Sequence, residues 1–208
     1  MAPRAGIALL IACMGVARPA VAGEVSMNPA QAPNGAYRLE AAHSVILFSI
    51  LHLGLTDYHG RFDRLSGTLN FDGNEPQRSH VSVTIGMDGV DTPSARLTED
   101  LKGKAVFDVA QYPEARFEAT TISQTGPDRG LITGNLTIRN VTKPVTLDAV
   151  FRGTERNPLD DVPVLGFHAT ATIKRSDFGL TDMIWAPLVG DEVTLTIEAM
   201  FEQVSEQQ

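Results

Sequence analysis

Five histidines are the residues of this chain most typical of metal chemistry. They are His43, His52, His59, His80 and His168, and imidazole is a common zinc ligand. His43 and His52 belong to one predicted strand, where their spacing puts them on opposite faces and roughly 30 Å apart at about 3.3 Å per residue. His52 and His59 are close enough in sequence to meet across a predicted loop. Hydrogen-bonded histidines at strand ends are the more frequent arrangement, so we predict no metal site.

The run Lys174, Arg175, Ser176, Asp177 is the strongest polar cluster. It ends a predicted strand, which indicates a rim, and there Arg175 would meet a ligand head group such as a phosphate or a quinone carbonyl. The alternative is structural and more frequent: Arg175 pairs with Asp177 or with the nearby Asp182.

Two further side chains complete the predicted rim. Trp185 is the only tryptophan and lies between the last two strands. We predict that it forms a lid, because an aromatic ring with a polar N–H suits a boundary between water and an apolar interior. His52 is the other rim candidate.

Catalysis is not indicated. Ser44 directly follows His43, and neighbouring residues on a strand point to opposite faces. The chain has no Gly-x-Ser-x-Gly motif, and its acidic pairs fall in predicted loops, so we predict no catalytic residue and no cofactor. The 25 acidic and 17 basic residues give a formal charge of −8. That balance disfavours nucleic acid as a partner, because phosphate binding needs clustered Lys and Arg.

Residues 1–22 are typical of a secretory signal peptide. Arg4 is followed by an apolar run over residues 7–17 and by the small-residue motif Ala20-Val21-Ala22. We therefore expect cleavage after Ala22, a periplasmic location and no stable membrane anchor. The single cysteine, Cys13, would leave with the leader, so the mature chain would form no disulfide. Lipidation at Cys13 is the less favoured alternative, because the apolar run before it is short.

The remaining chain alternates between apolar and polar residues with a period of two, which is typical of half-buried strands. We predict that residues 23–35 form a flexible lead-in and that residues 36–205 form a single all-β domain. One short helix is predicted over residues 93–102, with Thr92 as its cap, Pro93 at its first position and Gly103 at its end. The eight predicted strands are residues 44–52, 60–71, 81–88, 115–122, 132–139, 145–152, 164–175 and 193–202.

Eight antiparallel strands in one domain favour an up-and-down barrel, because closure removes the exposed sheet edges. The inward positions mix large apolar residues with small ones and carry no charge in mid-strand. This mixture fits an apolar tube that holds a hydrocarbon chain, and it fits a barrel filled by its own side chains equally well. The predicted lining residues are Ile46, Phe48, Ile50, Phe62, Leu69, Val83, Ile85, Phe117, Leu136, Ile138, Leu147, Phe151, Phe167, Ala169, Leu195 and Ile197.

Several motifs in order resemble the YceI-like family. The first is His43-Ser44-x-Ile46-x-Phe48-x-Ile50-x-His52, followed by Gly60-Arg61-Phe62. Others are Phe107-Asp108 with Tyr112-Pro113, Gly134-x-Leu136-Thr137-Ile138 with Val141-Thr142-Lys143-Pro144, Ile173-Lys174-Arg175-Ser176-Asp177-Phe178-Gly179, and Val189-Gly190-Asp191-Glu192. The resemblance runs from about Tyr37 to Val204. Asn140 departs from the glycine that is usual there, but asparagine also tolerates left-handed backbone.

The resemblance implies an extended, eight-stranded antiparallel, lipocalin-like barrel in an exported bacterial protein without enzymatic activity. It implies that a long-chain amphiphilic lipid, such as a polyisoprenoid, an isoprenoid quinone or a fatty-acyl lipid, lies in the tube for carriage or sequestration. The alternative is a structural or stress-response barrel that has no dedicated ligand. A second copy of the chain is a further partner to consider, although the sequence indicates no dimer interface.

Overall fold

The computed structural model describes residues 25–181 and 185–204. The predicted signal peptide with Cys13 and its cleavage site, and Asp182, lie outside the described residues. No helix in the described residues is long and apolar enough to cross a membrane.

Strands make up most of the described chain, with one α-helix, α1, at Ala95–Lys102. Single turns of 3₁₀ helix occur at Pro29–Gln31, Pro76–Arg78, Met87–Gly89, Arg175–Phe178 and Ala186–Leu188. The strands are β1 (Gly35–His52), β2 (Thr56–Phe62), β3 (Leu65–Phe71), β4 (His80–Gly86), β5 (Val90–Asp91), β6 (Glu114–Gln124), β7 (Arg129–Ile138), β8 (Val141–Arg156), β9 (Pro163–Lys174) and β10 (Val189–Gln203).

These strands form one antiparallel sheet that closes on itself. The order around the wall is β10-β9-β8-β7-β6-β4-β3-β1, and a pairing between β1 and β10 completes the ring. β2 pairs with the second half of β1, whereas β3 pairs with the first half, so β2 and β3 together occupy one position in the wall. The predicted all-β, eight-stranded antiparallel barrel with one short helix is confirmed.

The predicted strand over residues 60–71 is interrupted, and this prediction was wrong in detail. The chain leaves the sheet at Asp63 and Arg64, between β2 and β3. The backbone there bonds to the neighbouring turn instead, because Asp63 N–H donates to Gly89 O and Arg64 O accepts from Gly86 N–H. β1 also begins nine residues earlier than predicted, at Gly35.

The helix begins at Ala95, not at the predicted Pro93. Ser94, not Thr92, is the cap, because its hydroxyl accepts a hydrogen bond from Leu97 N–H and so satisfies an unpaired amide of the first turn. Thr92 instead pairs with Thr98, through the Thr92 amide and both hydroxyls. The helix ends at Lys102, with Gly103 at the C-terminal cap.

A bulge in β1 lets both halves of this long strand face the interior. The register shifts between Glu40 and Val45 against β10, where the Glu40 carboxylate accepts hydrogen bonds from the amides of Ala42 and His43. These bonds lower the pKa of Glu40 although burial opposes the shift. A buried Ser44 hydroxyl donates to Glu40 O. Odd-numbered residues face inward before the bulge and even-numbered residues after it, so the interior stays apolar along the whole strand.

The described part of the predicted lead-in packs onto the barrel. Ser26 pairs with Thr154 of β8 through both backbone hydrogen bonds. Asn28 caps the turn at Pro29–Gln31, and Ala32 is buried in the core. These contacts hold residues 26–32 against one end of the barrel.

Five aromatic rings form a connected cluster in the half of the interior nearest this lead-in. They are Tyr37, Phe71, Phe151, Phe167 and Phe201, with neighbouring ring centroids 5.4–6.3 Å apart. Most of the pairs meet edge to face, the arrangement that the ring quadrupoles favour. Burial also raises the pKa of Tyr37 to about 12, while its hydroxyl donates to Pro33 O.

Close packing between β6 and β7 predicts a specific sensitivity. A Cβ built on Gly134 would lie 2.5 Å from both Glu118 O and the Phe117 ring. We expect Gly134→Ala to lower the free energy of unfolding by about 1–3 kcal/mol through overpacking, measured by urea denaturation. The matched control is Gly166→Ala, where the nearest atom, Arg152 Cβ, would be 3.4 Å away. Equal stability of the two variants would contradict this packing.

Candidate ligand-binding site

The barrel encloses a chamber of about 420 Å³, which we call the first chamber. Its walls are almost entirely apolar. The side chains come from the second half of β1, from β2, β4, β6, β7, β9 and β10, from α1 and from the segments that connect these elements. They are Ile46, Phe48, Ile50, His52, Tyr58, Phe62, Ile85, Met87, Thr92, Leu97, Leu101, Val106, Phe107, Ala115, Leu136, Ile138, Ile173, Arg175, Leu180, Trp185, Leu188, Val189, Val193 and Leu195.

A second chamber of about 200 Å³ occupies the other half of the barrel, beside the aromatic cluster. Phe71, Phe151, Phe167 and Phe201 form part of its wall. Its polar lining residues are Ser79 before β4, Gln124 at the end of β6, Asp128 in the β6–β7 turn and Arg129 at the start of β7. The middle of the second chamber is lined by apolar strand residues.

The two chambers meet at a girdle of four side chains. Ile46, Ile85, Leu136 and Leu195 line both chambers. They come from four strands of the wall: β1 and β10, which are paired neighbours, and β4 and β7, which lie on either side of β6. The interior therefore holds two adjoining apolar chambers that share these four wall residues.

The structure places all sixteen predicted lining residues on the walls of these two chambers. Eight line the first chamber, the four girdle residues among them. The others line the second chamber: Leu69, Val83, Phe117, Leu147, Phe151, Phe167, Ala169 and Ile197. That these side chains contact a ligand stays a prediction.

Arg175 lines the first chamber, and most of its donors are engaged within the protein. Its guanidinium donates to four backbone carbonyls, those of Leu180, Ala186, Val189 and Gly190. Among the described residues Arg175 forms no ion pair, so the expected pairing with Asp177 does not occur, whereas Asp182 lies outside the described residues. Contact with a ligand head group stays a prediction, for which few donors of Arg175 remain. Arg175 instead ties the segments on both sides of Trp185 to the end of β9.

The other rim candidates divide between the chamber wall and the surface. His52 and Trp185 line the first chamber, and Trp185 packs against the core directly before the turn at Ala186–Leu188. Asp177 is exposed and lines neither chamber. Of the other two residues in the run 174–177, Lys174 is exposed. Ser176 donates its hydroxyl and its amide to Asp191 at 2.7 and 3.0 Å.

These bonds affect the titration of Asp191. The Ser176 hydroxyl lowers the pKa of Asp191, assisted by the Ser176 amide and the charges of Arg175 and Lys174, although burial opposes the shift. The folded-state pKa therefore lies below the unfolded value. The pair stabilises the fold above the unfolded pKa, and this contribution is lost as pH falls through the folded pKa.

Tyr58 is a site residue that the sequence reasoning missed. It lies on β2 opposite Ile50 and lines the first chamber. Its hydroxyl is buried and has no hydrogen-bond partner among the described residues, although a buried hydroxyl usually has one. The signal was present, because Tyr58 shares the parity of Phe62, but residues 56–59 were interpreted as loop.

The end wall of the first chamber was also missed. Leu97 and Leu101 lie on one face of α1, and Val106 and Phe107 follow the helix. Their spacing of four along the helix puts both leucines on the same side. This face closes the barrel end, so the helix is part of the site.

The histidines do not gather into a metal site. His43, His80 and His168 each lie 2.6–2.7 Å from a single glutamate, a different one in each case. His52 points into the chamber, whereas His59 is exposed on the outer face of β2, so these two do not approach each other. The described residues contain no cluster of three or more metal-ligating side chains.

Comparison with known proteins agrees with this geometry. The sequence model of the YceI-like domain matches residues 37–201. The chain belongs to the YceI-like family. A relative from Yersinia pestis, a UPF0312 protein, is 35% identical over 161 residues, which cover 77% of this chain and 83% of that protein.

Two solved structures show the same fold. The crystal structure of Burkholderia cenocepacia BcnA has a TM-score of 0.69 at 22% identity, covering 78% of this chain and 98% of BcnA. A polyisoprenoid binding domain from Saccharophagus degradans, implicated in plant cell wall breakdown, has a TM-score of 0.59 at 16% identity, covering 83% of this chain and all of that domain.

The contacts of Arg175 predict that it holds the chamber end together. We expect Arg175→Met to lower the free energy of unfolding by about 1–3 kcal/mol, because buried carbonyls lose their donor. Trp185 fluorescence should shift to longer wavelength as the segment around it loosens. The control is Lys174→Met, an exposed neighbour. Unchanged stability and fluorescence in Arg175→Met would contradict this role.

Proposed function

We propose that this protein is an exported carrier that holds one long-chain amphiphile, such as a polyisoprenoid, an isoprenoid quinone or a fatty-acyl lipid. The tail occupies the two chambers, and the head group stays near Tyr58, His52 and Trp185. The observation that carries the proposal is the pair of adjoining apolar chambers inside the barrel. The first chamber, at about 420 Å³, falls within the size of small-molecule sites, about 300–1,000 Å³.

Burial of the tail supplies the affinity. Each buried methylene contributes about 0.8 kcal/mol, so about ten of them contribute about 8 kcal/mol before the cost of immobilising the ligand. Polar contacts are therefore not needed for tight binding. They fix which end of the molecule faces the solvent.

Tyr58 provides a hydroxyl in the first chamber that is free to bond a ligand. Its hydroxyl is already out of contact with solvent and has no partner among the described residues, so donation to a ligand oxygen would remove the cost of an unsatisfied buried group. A quinone carbonyl, an ester or a phosphate oxygen would accept this bond. Arg175 supports the same end of the site indirectly, by holding the backbone around Trp185.

Two further points support carriage outside the cytoplasm. Residues 1–22 carry the pattern of a cleavable signal peptide, and we propose export to the periplasm with cleavage after Ala22. The relationship in fold to a polyisoprenoid binding domain agrees with a lipid ligand. The described residues bring together no nucleophile with an activating base, so we propose a binding function without catalysis.

Organic extraction tests the proposal directly. Native mass spectrometry and lipid analysis of the exported protein should find one long-chain lipid per chain. Ala115 is buried and lines the first chamber, so Ala115→Trp should fill that chamber and reduce lipid occupancy at least tenfold. Thr172→Trp is the control, because Thr172 is an exposed residue of β9.

An empty protein that also rejects added quinone would overturn the proposal and favour a structural barrel without a dedicated ligand. Equal lipid occupancy of the Ala115→Trp and Thr172→Trp variants would show that the lipid binds outside the chamber. That result also contradicts the proposal.

Removal of the Tyr58 hydroxyl separates the contribution of the head group from that of the tail. We expect Tyr58→Phe to weaken binding of a long-chain quinone about fivefold to tenfold, since one hydrogen bond contributes about 1 kcal/mol. Binding of a hydrocarbon of the same length, without oxygen, should stay unchanged. Displacement of a fluorescent fatty acid measures both, and equal losses for the two ligands would contradict a head-group role.

A further inference from the structure

The tip of the β1–β2 hairpin presents leucines to solvent. Leu53 and Leu55 flank Gly54 at the tip, and they are 56% and 79% exposed. Leu51, on the adjoining outer face of β1, is also exposed. We call these three residues with Leu188 the leucine tip. A group of exposed apolar side chains of this kind marks an interaction surface with a protein or a membrane.

The leucine tip lies at the end of the first chamber that Leu188 lines. Leu53 N–H donates to Leu188 O at 2.8 Å, which ties the hairpin to the turn before β10. Leu188 is 47% exposed and also lines the first chamber, so its side chain joins the outside surface to the interior. His52 and Tyr58, from the same hairpin, line the chamber as well. The apolar surface of the tip and the apolar wall of the chamber are therefore continuous.

Leu53 stands in a backbone conformation that leucine disfavours. Its φ is +54°, and Gly54 follows with a φ of +70°, while Leu55 N–H donates to His52 O. Two positive φ angles in succession are typical of a type I′ turn, where asparagine, aspartate and glycine are preferred. A bulky residue there is strained. Burial does not offset this strain at Leu53, because its side chain is 56% exposed. Strain of this kind is concentrated at functional positions.

The charges around the tip favour an electrically neutral apolar partner. Residues 44–60 contain no Lys or Arg and a single carboxylate, Asp57. The neighbouring start of β10 adds two more carboxylates, Asp191 and Glu192, so the hairpin offers no attraction to an anionic surface. The area is also small: a stable protein interface buries about 800 Å² per partner, from about 20–30 residues, whereas the tip has four leucines. A Cβ on Gly54 would meet no atom within 4 Å, so the turn projects outward. A narrow projecting apolar turn fits the fluid boundary between lipid head groups and acyl chains better than a flat protein surface.

We propose that the leucine tip inserts into a lipid bilayer surface and places the mouth of the first chamber against it. The tail of the amphiphile would then pass between bilayer and barrel along Leu188 without crossing water. This inference rests on the proposed carrier function, because it names the surface from which the carrier loads and onto which it unloads.

Vesicle flotation tests the inference with vesicles of pure phosphatidylcholine. The exported protein should float with them, and high salt should not release it, because no cation of the tip contributes. The test variant is Leu53→Asn combined with Leu55→Ser. Asparagine is preferred at the Leu53 position of this turn, so the hairpin should keep its structure and the free energy of unfolding should not fall. We expect vesicle association to drop at least tenfold.

The control is Leu159→Ser, since Leu159 is 92% exposed in the connection between β8 and β9. It should float like the unaltered protein. The second measurement is the rate at which each protein takes a fluorescent long-chain lipid from the vesicles. The tip variant should load at least tenfold more slowly, yet reach the same final occupancy, because no altered residue lines a chamber.

The outcomes separate the two proposals. An unaltered protein that holds lipid but does not float overturns the tip inference and leaves the carrier function standing. A protein that floats through its tip but holds no lipid overturns the carrier function alone. A tip variant that floats normally, or whose only change is a loss of self-association in sedimentation, overturns the bilayer as the occupant of this surface.

Discussion

Closure of an alternating sheet is the constraint on which this structure depends. Alternation sends every second side chain inward, and closure leaves those side chains no other partner than one another. In this chain the inward side chains in mid-strand are apolar, and small ones such as Ala115, Gly134 and Ala169 stand among the large ones. Their combined volume does not fill the barrel, so apolar space remains inside it.

The ends of the barrel are formed by different means. At the end that holds residues 26–32, aromatic rings pack together and narrow the second chamber. At the other end the wall is completed by α1 and by the backbone that Arg175 gathers around Trp185. This end of the first chamber is therefore closed by a helix and by connecting segments, not by strands. Those elements, together with the β1–β2 hairpin, are where a ligand would enter.

Much of the wall could be predicted from the sequence, because a period of two fixes which residues share a face. The inward parity assigned to Ile46, Phe117 and Leu195 depends on nothing else. The break at Asp63 and Arg64 could not be predicted, because its cause is a contact with a turn more than twenty residues away in the chain. Tyr58 shares the parity of Phe62, but its strand is short, and its pairing with β1 and β5 is what establishes it. The role of Arg175 depended on carbonyls from a connection with no periodic pattern.

The sequence also left open whether the interior is hollow or filled, since small residues among large ones fit both cases. Only the placement of backbone and side chains distinguishes them. In the structure the four girdle residues, Ile46, Ile85, Leu136 and Leu195, stand between the two chambers, and space remains on both sides of them.

A crystal structure of the protein loaded with a long-chain quinone or fatty acid that carries bromine at the end of its tail tests the central claim most directly. The account predicts an anomalous bromine peak in the second chamber, beyond the girdle, and ligand oxygen within hydrogen-bonding distance of Tyr58. A barrel whose side chains close both chambers, with the bromine peak on the outer surface or absent, would contradict it.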